Sequence, residues 1–339
     1  MGIDLPLIWF LIIGFGLMMY IIMDGFDLGI GILFPFISDR EERDLMVNTV
    51  APVWDGNETW LVLGGVGFLA AFPQAYAIIL TALYLPLIFM LCGLIWRGVA
   101  FEFRFKAKEN HKPFWDKAFI GGSYVATFFQ GVSLGAFING FKLESQAQGL
   151  VFNGGSLDWC TPFSLFTGFG LVVAYALLGC TWLIMKTEAR LQKKMIQLAK
   201  PILALLLVIM VIVSIWTPLS HAYIAERWFS MPNLFFLAPF PLLAFVAAYF
   251  MLRKLRHETH AAPFLLALII LFLGYMGLAM SLWPNIIPPN ISMRDVAAPA
   301  QSMGFALVGA LVIIPFILVY TSWAYYVFRG KINSNEGYH

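Results

Sequence analysis

The sequence predicts an all-α, polytopic membrane protein with nine transmembrane helices, and three observations lead to this fold class. Hydrophobic residues make up 60% of the 339 residues and charged residues 12%, against about 45–50% and about 25% in soluble domains. Nine apolar runs are each long enough for a bilayer crossing, which takes about 20 residues. Lys and Arg also alternate between successive connections, as the positive-inside rule requires.

The nine apolar runs are separated by short connections, so the chain reads as a single integral membrane domain over residues 1–339. The first run is too long for a simple crossing and should tilt, kink or protrude. Helices with short connections pack as antiparallel bundles, and we expect two four-helix bundles plus one peripheral helix. The predicted spans are 5–36, 54–72, 75–97, 118–140, 161–185, 201–219, 232–252, 262–283 and 303–328.

The distribution of basic residues predicts the orientation of these spans. Of the 21 Lys and Arg residues, 18 lie in the connections after the first, third, fifth and seventh spans or around the C-terminal tail. The remaining connections hold only Lys142, Arg227 and Arg294. Because basic residues accumulate on the cytoplasmic side, the N-terminus is predicted outside and the C-terminus in the cytoplasm.

The composition and the histidine positions argue against several functions. The net charge is only +2 and no basic stripe interleaves with aromatic residues, so nucleic acid is not expected as a partner. No set of His, Cys or Asp has metal-site spacing. Haem iron in membrane electron carriers usually takes His. We expect no haem, metal or catalytic residue held by this chain, because its histidines all fall outside the predicted spans: His111, His221, His257, His260 and His339.

Two carboxyl groups lie inside the first span, where ionisable residues are costly and mark functional sites by default. Asp24 and Asp27 are three residues apart, a spacing that puts both on one helix face. Asp24 follows Leu5 by 19 residues, or about 28 Å of helix. The pair is therefore predicted near the cytoplasmic edge of the membrane.

Further ionisable residues converge on the same membrane edge. They lie in the segment 53–60 (VWDGNETW), in 96–106 (WRGVAFEFRFK) and just before the fourth span. Taken singly, they also fit interfacial charges, helix caps or ion pairs such as Asp27 with Arg97. Taken together they favour function, because the spans of the second half of the chain carry almost no charge. The residues are Trp54, Asp55, Glu58, Arg97, Glu102, Lys106 and Asp116.

Several of these segments occur in the order found in one known family. They are DGFDLG (24–29), APVWDGNETW (51–60), WRGVAFEFR (96–104), WD (115–116) and YTSWAYYVFRG (320–330). With these motifs the chain resembles subunit II of the cytochrome bd quinol oxidases, including the cyanide-insensitive branch. The resemblance covers essentially the whole chain.

The resemblance implies a function that composition cannot supply. The family's complex oxidises quinol, reduces dioxygen to water with protons from the cytoplasm, and thereby forms a proton gradient in a prokaryotic cytoplasmic membrane. Haem b and haem d are carried by a partner, subunit I, in a heterodimer. Subunit II stabilises that assembly and lines routes for protons and oxygen. The resemblance is compatible with small single-helix subunits in the complex and with a structural quinone in this chain.

The resemblance also implies roles for individual residues. Asp27, Arg97 and Asp116 match positions needed for a haem-loaded complex at the subunit interface, and Trp60 matches a position at an apolar oxygen route. Adding the buried carboxyls identified from charge alone, the expected proton path consists of Asp24, Asp27, Trp54, Asp55, Glu58, Glu102 and Lys106.

Two other functions fit the composition. A proton-coupled secondary transporter would use the same carboxylates as a coupling site, and a purely structural membrane scaffold would use none of them. Transporters often show inverted repeats and broken helices at the membrane midplane. Here the carboxylates are predicted near one edge and no repeat is visible, so the oxidase subunit is favoured.

Overall fold

The computed structural model describes residues 3–147, 149–256 and 261–332. Long α-helices dominate this part of the chain, which also contains two short β-hairpins. Asp4 caps the first helix through its side chain, and Pro residues stand in the first turn of several others. Pro is favoured there because its fixed φ suits the first turn and its missing N–H has no helical partner.

The helices and strands follow one another along the chain as follows. The helices are α1 (Leu5–Leu33, continued by a 3-10 turn, Phe34–Phe36), α2 (Arg40–Asn48), α3 (Trp54–Ala71), α4 (Pro73–Ala82), α5 (Tyr84–Lys106), α6 (Lys112–Asn139), α7 (Pro162–Lys186), α8 (Ala189–Ser220), α9 (Ala222–Phe229), α10 (Asn233–Leu237), α11 (Pro239–Lys254), α12 (Ala262–Leu282) and α13 (Ala300–Val327). The antiparallel hairpins pair β1 (Leu143–Gln146) with β2 (Gly149–Phe152) and β3 (Asn285–Ile287) with β4 (Ile291–Ser292).

The long helices pack in two neighbouring groups. The first contains α1, α3, α5 and α6, and the second contains α7, α8, α11 and α12. Helix α7 packs on both α1 and α6, so it joins the two groups and is the most deeply buried long helix. Helix α13 lies against α1 and α3 and exposes most of its apolar surface.

Glycine pairs set the close approach of the central helices. At Gly29 of α1, an added Cβ would lie 2.9 Å from the backbone nitrogen of Gly179 in α7. At Gly93 of α5, an added Cβ would lie 2.8 Å from the carbonyl oxygen of Gly122 in α6. Small residues let membrane helices approach closely enough for extensive van der Waals contact, and these pairs bring the polar residues of α1, α5 and α6 together.

Helices coincide with all nine predicted apolar runs, and seven of the described helical segments have the length and mean hydropathy of membrane spans. These are Leu5–Phe36, Tyr84–Lys106, Pro162–Lys186, Ala189–Ser220, Asn233–Lys254, Ala262–Leu282 and Ala300–Val327. The two remaining predicted spans correspond to α3 and α6. Helix α3 begins with Asp55, Asn57 and Glu58, and α6 contains several polar residues, so both are less apolar. The protein is thus an all-α polytopic membrane protein, and the count of nine crossings stays a prediction.

The third predicted run, 75–97, differs from the structure because it is divided at Leu83. Helix α4 ends at Ala82, and α5 runs from Tyr84 to Lys106. Pro86 lies in the first turn of α5 and has no N–H to donate to the carbonyl of Ala82, so a continuous helix is interrupted here. The two β-hairpins were not predicted either. They lie in segments rich in Gly, Pro, Asn and Ser, where turns are favoured.

Candidate functional site

A buried ion-pair cluster lies where α1, α3 and α5 meet. The guanidinium group of Arg97, only 1% exposed, donates hydrogen bonds to the carboxylates of Asp24 and Glu58 through Nη2. The Arg97–Glu58 distance is 2.7 Å. The side chain of Asp24 is fully buried, whereas that of Glu58 is 29% exposed. One cation therefore faces two carboxylates, and one of the two has access to the surface.

Asp27 takes part in a second set of hydrogen bonds, whose other members are the uncharged side chains of Asn57 and Tyr325. Its Oδ2 accepts a 2.7 Å hydrogen bond from the side-chain amide of Asn57. The carbonyl oxygen of that amide accepts a 2.9 Å hydrogen bond from the hydroxyl of Tyr325 in α13. The ion pair that the sequence offered as an example, Asp27 with Arg97, is therefore wrong, because the hydrogen-bond partner of Arg97 on α1 is Asp24.

The ring of Trp54, the first residue of α3, packs against the Arg97 guanidinium of the cluster. The guanidinium of Arg97 lies 5.7 Å from the centre of the Trp54 ring, within the range of a cation–π interaction. The Trp54 ring also packs on Phe101, with 5.3 Å between ring centres. These contacts put the N-terminal turn of α3 beside the C-terminal half of α5.

The remaining predicted path residues lie on exposed turns of the same two helices. Asp55 is exposed on the first turn of α3, and Glu102 and Lys106 are exposed on the last turns of α5. The sequence therefore predicted correctly that polar residues of α3 and α5 gather at one end of the helix group. It did not distinguish the exposed members from Glu58, which bridges the surface and the buried cluster.

Asp116 belongs to a separate ion-pair network that ties α2 to α5 and α6. Its carboxylate accepts a hydrogen bond from Arg43 at 2.8 Å and one from Arg104 at 2.6 Å. Arg104 also pairs with Asp44 at 2.6 Å. Both guanidinium groups lie 5.6 Å from the centre of the Phe34 ring. These contacts join α2 to α5 and α6 and fix the connection between the first two long helices.

Trp60 occupies the buried face of α3 one turn beyond Asn57. It is fully buried, and its ring meets Phe15 of α1 edge to face, with 5.7 Å between ring centres. Its indole N–H has no hydrogen-bond partner among the described residues. The next turns of the same face carry Gly64 and Gly67, so small residues and an aromatic ring line this part of the α1–α3 contact.

Three further polar residues, on α1, α6 and α7, hydrogen-bond one another and were not identified from the sequence. Gln130 of α6 donates to the hydroxyl of Tyr20 at 2.5 Å, and Tyr175 of α7 donates to Gln130 at 3.1 Å. Tyr20 lies one helical turn before the fully buried Asp24 of α1. The sequence could have indicated Gln130, whose side-chain amide stands alone in an apolar stretch of α6. Polar groups within membrane helices commonly hydrogen-bond to other helices.

These features define a class of protein: a polytopic membrane protein with a charged, hydrogen-bonded cluster buried between its helices. Residues 5–328 match the family model described as cytochrome bd terminal oxidase subunit II. The chain therefore belongs to the family of cytochrome bd terminal oxidase subunit II and is a subunit of a terminal oxidase.

Individual relatives agree with the family model over nearly their full lengths. The chain is 27% identical to the cytochrome bd-I ubiquinol oxidase subunit 2 of Escherichia coli (strain K12), over 98% of this chain and 96% of that one. It is 28% identical to the cytochrome bd ubiquinol oxidase subunit 2 of Bacillus subtilis (strain 168), over 97% of each. Its fold is similar to a chain of the bd oxidase from Geobacillus thermodenitrificans, with a TM-score of 0.77, 18% identity and coverage of 97% of this chain and 100% of that chain.

Proposed function

We propose that this chain is the non-haem subunit II of a quinol oxidase, in which quinol oxidation is coupled to the reduction of dioxygen to water and to the formation of a proton gradient. It would act in a heterodimer with a haem-bearing subunit I. Its place would be a bacterial cytoplasmic membrane, crossed nine times with the N-terminus outside. The packing of α1, α3, α5 and α6, of α7, α8, α11 and α12, and of α13 beside them supports two four-helix bundles with one peripheral helix.

The donor set of the described residues does not fit a haem. His111 and His221 lie in connections between helices, and His257, His260 and His339 lie outside the described residues. The described side chains form no group of three or more His, Cys, Asp and Glu that suits a metal ion. In the proposed complex, haem b and haem d would therefore be held by the partner, where they supply electron transfer to oxygen.

The observation that carries the proposal is the partly exposed carboxylate of Glu58, which accepts a hydrogen bond from the buried Arg97. A proton path needs titratable groups within hydrogen-bond reach of each other or of an intervening water. Asp55, Glu102 and Lys106 would form its cytoplasmic mouth beside Trp54, and Glu58 would pass protons to the buried cluster around Arg97. Polar atoms of Asp24, Asp27 and Arg97 that lack a protein partner support this role, because buried polar groups of this kind are usually satisfied by ordered water.

Asp27, Arg97 and Asp116 would have a second role in holding the subunit in the shape that its partner binds. Each is buried and has polar partners on another helix. Removing one partner of such a pair leaves an uncompensated buried group. The proposed consequence is a complex that assembles poorly and loses haem.

Purification of the complex in mild detergent tests the proposed function most broadly. A haem-bearing partner that co-purifies with this chain and gives reduced b- and d-type bands is the expected result. A chain that is isolated without such a partner and moves a solute by itself in reconstituted vesicles would instead identify a proton-coupled transporter. The same preparation shows whether a quinone or small single-helix subunits accompany the two large subunits.

The proton path is tested by Asp55→Asn. We expect slower oxygen consumption with unchanged haem spectra, because the variant keeps the shape of the mouth and removes a titratable group. Glu144→Gln is the matched control, since Glu144 is an exposed carboxylate in the β1–β2 hairpin. Full oxygen consumption in Asp55→Asn would remove Asp55 from the path.

The oxygen route near Trp60 is tested by filling the α1–α3 contact. Gly64 is buried one turn from Trp60, and an added Cβ would be 3.7 Å from Leu17, so Gly64→Val narrows this space. We expect a higher apparent KM for oxygen. At neighbouring Gly65 an added Cβ meets nothing within 4 Å, and Gly65→Val should leave KM unchanged. Equal KM values in both variants would argue against a route here.

A further inference from the structure

Tyr325 of α13 reaches into the region between α1 and α3. Its hydroxyl donates a 2.9 Å hydrogen bond to the side-chain oxygen of Asn57 in α3, and the amide nitrogen of Asn57 donates at 2.7 Å to Oδ2 of Asp27 in α1. The same nitrogen donates to the carbonyl oxygen of Met23 at 3.2 Å. Side-chain hydrogen bonds therefore connect three helices and end at one oxygen of Asp27.

The direction of these hydrogen bonds follows from the chemistry of the groups involved. A backbone carbonyl oxygen can only accept, so the atom of Asn57 that faces Met23 must be the amide nitrogen. The amide oxygen then faces Tyr325. Because this oxygen cannot donate, the hydroxyl proton of Tyr325 must point to it. The amide nitrogen of Asn57 is thus presented to Asp27 as a donor.

Contacts with α1 and α7 fix the position of the Tyr325 ring. The ring packs edge to face on Trp182, with 6.1 Å between ring centres, and on Phe26, with 6.5 Å. Three residues further along α13, the carbonyl oxygen of Phe328 accepts a 2.6 Å hydrogen bond from Nζ of Lys186 in α7. The end of α13 is therefore held in place, although most of the apolar surface of this helix is exposed.

The two oxygens of the Asp27 carboxyl group have different surroundings. Oδ2 faces the amide nitrogen of Asn57, whereas Oδ1 is buried and has no hydrogen-bond partner among the described residues. A protonated carboxyl group has one hydroxyl donor and one carbonyl acceptor, and the amide nitrogen on Oδ2 favours this oxygen as the acceptor. A proton carried by Asp27 is therefore placed on Oδ1, away from Asn57.

We propose that Tyr325 is a positioning residue, which orients the Asn57 amide and thereby fixes Oδ1 as the oxygen through which Asp27 exchanges protons. The inference rests on the proton path proposed above and adds to it a residue of α13. Asn57 is only 1% exposed, so loss of the Tyr325 hydroxyl leaves its amide oxygen buried without a donor. Since such a state is costly, the amide turns away and Asp27 loses its fixed orientation.

Tyr325→Phe in the purified complex tests the inference, because it keeps the packed ring and removes only the hydroxyl. We expect oxygen consumption per haem to fall by about three- to tenfold, the rate equivalent of one neutral hydrogen bond. The solvent deuterium isotope effect on turnover should rise, because proton transfer limits the rate more strongly. Since Tyr325 acts through Asn57, Tyr325→Phe combined with Asn57→Leu should be no slower than Asn57→Leu alone.

Tyr326→Phe is the matched control. Tyr326 is the next residue of α13 and is 56% exposed, so this variant should keep the turnover and the isotope effect of the wild type. A merely structural role of the Tyr325 hydroxyl would lower the thermal midpoint or the haem content and leave turnover per haem unchanged. That result would overturn the proposal, as would additive losses from Tyr325→Phe and Asn57→Leu.

Asp27→Asn separates this inference from the path on which it rests. Slow turnover per haem in Asp27→Asn together with wild-type turnover in Tyr325→Phe overturns the inference alone. Wild-type turnover per haem in Asp27→Asn removes Asp27 from the proton path, and the inference is overturned with it.

Discussion

At the scale of single residues, Arg97 organises the buried cluster. It is 1% exposed, pairs with two carboxylates on two helices, and lies over an aromatic ring of α3. Such a cation is tolerated inside a membrane protein because its charge is balanced by close partners. Removing the guanidinium leaves both Asp24 and Glu58 without their compensating positive charge.

Arg97→Ala is therefore expected to lower the haem content and the yield of the assembled complex, because breaking a buried pair costs about 3–5 kcal/mol. Reduced-minus-oxidised spectra per milligram of complex measure the effect. Arg40→Ala is the control, since the Arg40–Glu109 pair is long, at 3.6 Å, and exposed, and such pairs contribute about 0–1 kcal/mol. Equal haem content in the two variants would contradict the importance of the buried pair.

Asp27→Ala should lower haem content less than Arg97→Ala. The partner of Asp27 is the neutral amide of Asn57, which also donates to a backbone carbonyl at 3.2 Å. Loss of this one hydrogen bond of the Asn57 amide costs about 1–3 kcal/mol. That is less than the cost of leaving a buried charge without its partner. A loss of haem in Asp27→Ala as large as that in Arg97→Ala would show that Asp27 contacts more than Asn57.

The limits of prediction from sequence are also visible at this scale. The three-residue spacing predicted Asp24 and Asp27 on one face of α1, and the structure buries every residue from Asp24 to Leu33. It did not predict which of them meets Arg97, because residues three apart differ by about 60° around the helix and the facing register of α5 decides the contact. The hydrogen bonds of Gln130 were missed for the same reason, since its partners come from α1 and α7.

At the scale of elements, the contact between α1 and α7 sets the positions of Asp24 and Tyr175. Gly29 and Gly179 face each other across this contact, and neither leaves space for a side chain. Apolar runs predicted both helices from the sequence. Their crossing point was not predictable, because it depends on which of the many glycines in the chain meet.

Gly29→Ala is expected to destabilise the complex by about 1–3 kcal/mol, as overpacking does when backbone atoms are in the way. The thermal midpoint of the complex in detergent measures the change. Gly121→Ala in α6 is the matched control, because its Cβ meets nothing within 4 Å and Ala is the better helix former. A lower midpoint in Gly121→Ala than in Gly29→Ala would contradict the packing argument.

The junction between α8 and α9 should respond to pH through His221. Burial against Phe163 and Tyr223 lowers the pKa of His221, so the unfolded chain binds the proton more tightly. The stability from neutral His221 is complete above about pH 6.5 and is lost as pH falls towards the lowered pKa. The thermal midpoint of the wild type minus that of His221→Gln should therefore be larger at pH 8 than at pH 5.5. A difference that stays constant with pH would exclude this contribution.

At the scale of the whole molecule, the two buried ion-pair clusters lie in one half of the helix assembly. The clusters of Arg97 and Asp116 both lie among α1 to α6, whereas α7 to α13 mainly supply apolar packing. Composition and charge alternation predicted the membrane class, and the motifs predicted the family that residues 5–328 match. The interruption at Leu83 and the hairpins required the structure, because hydropathy averages over such local breaks.

The central claim is that Glu58 carries protons into a buried cluster while the haems are held by a partner. Its most direct test is oxygen consumption by the purified Glu58→Gln complex, measured beside its haem spectrum. We predict an unchanged spectrum and a turnover reduced by at least about tenfold, because a relay group is lost from the path. An unchanged spectrum with full turnover would contradict the claim.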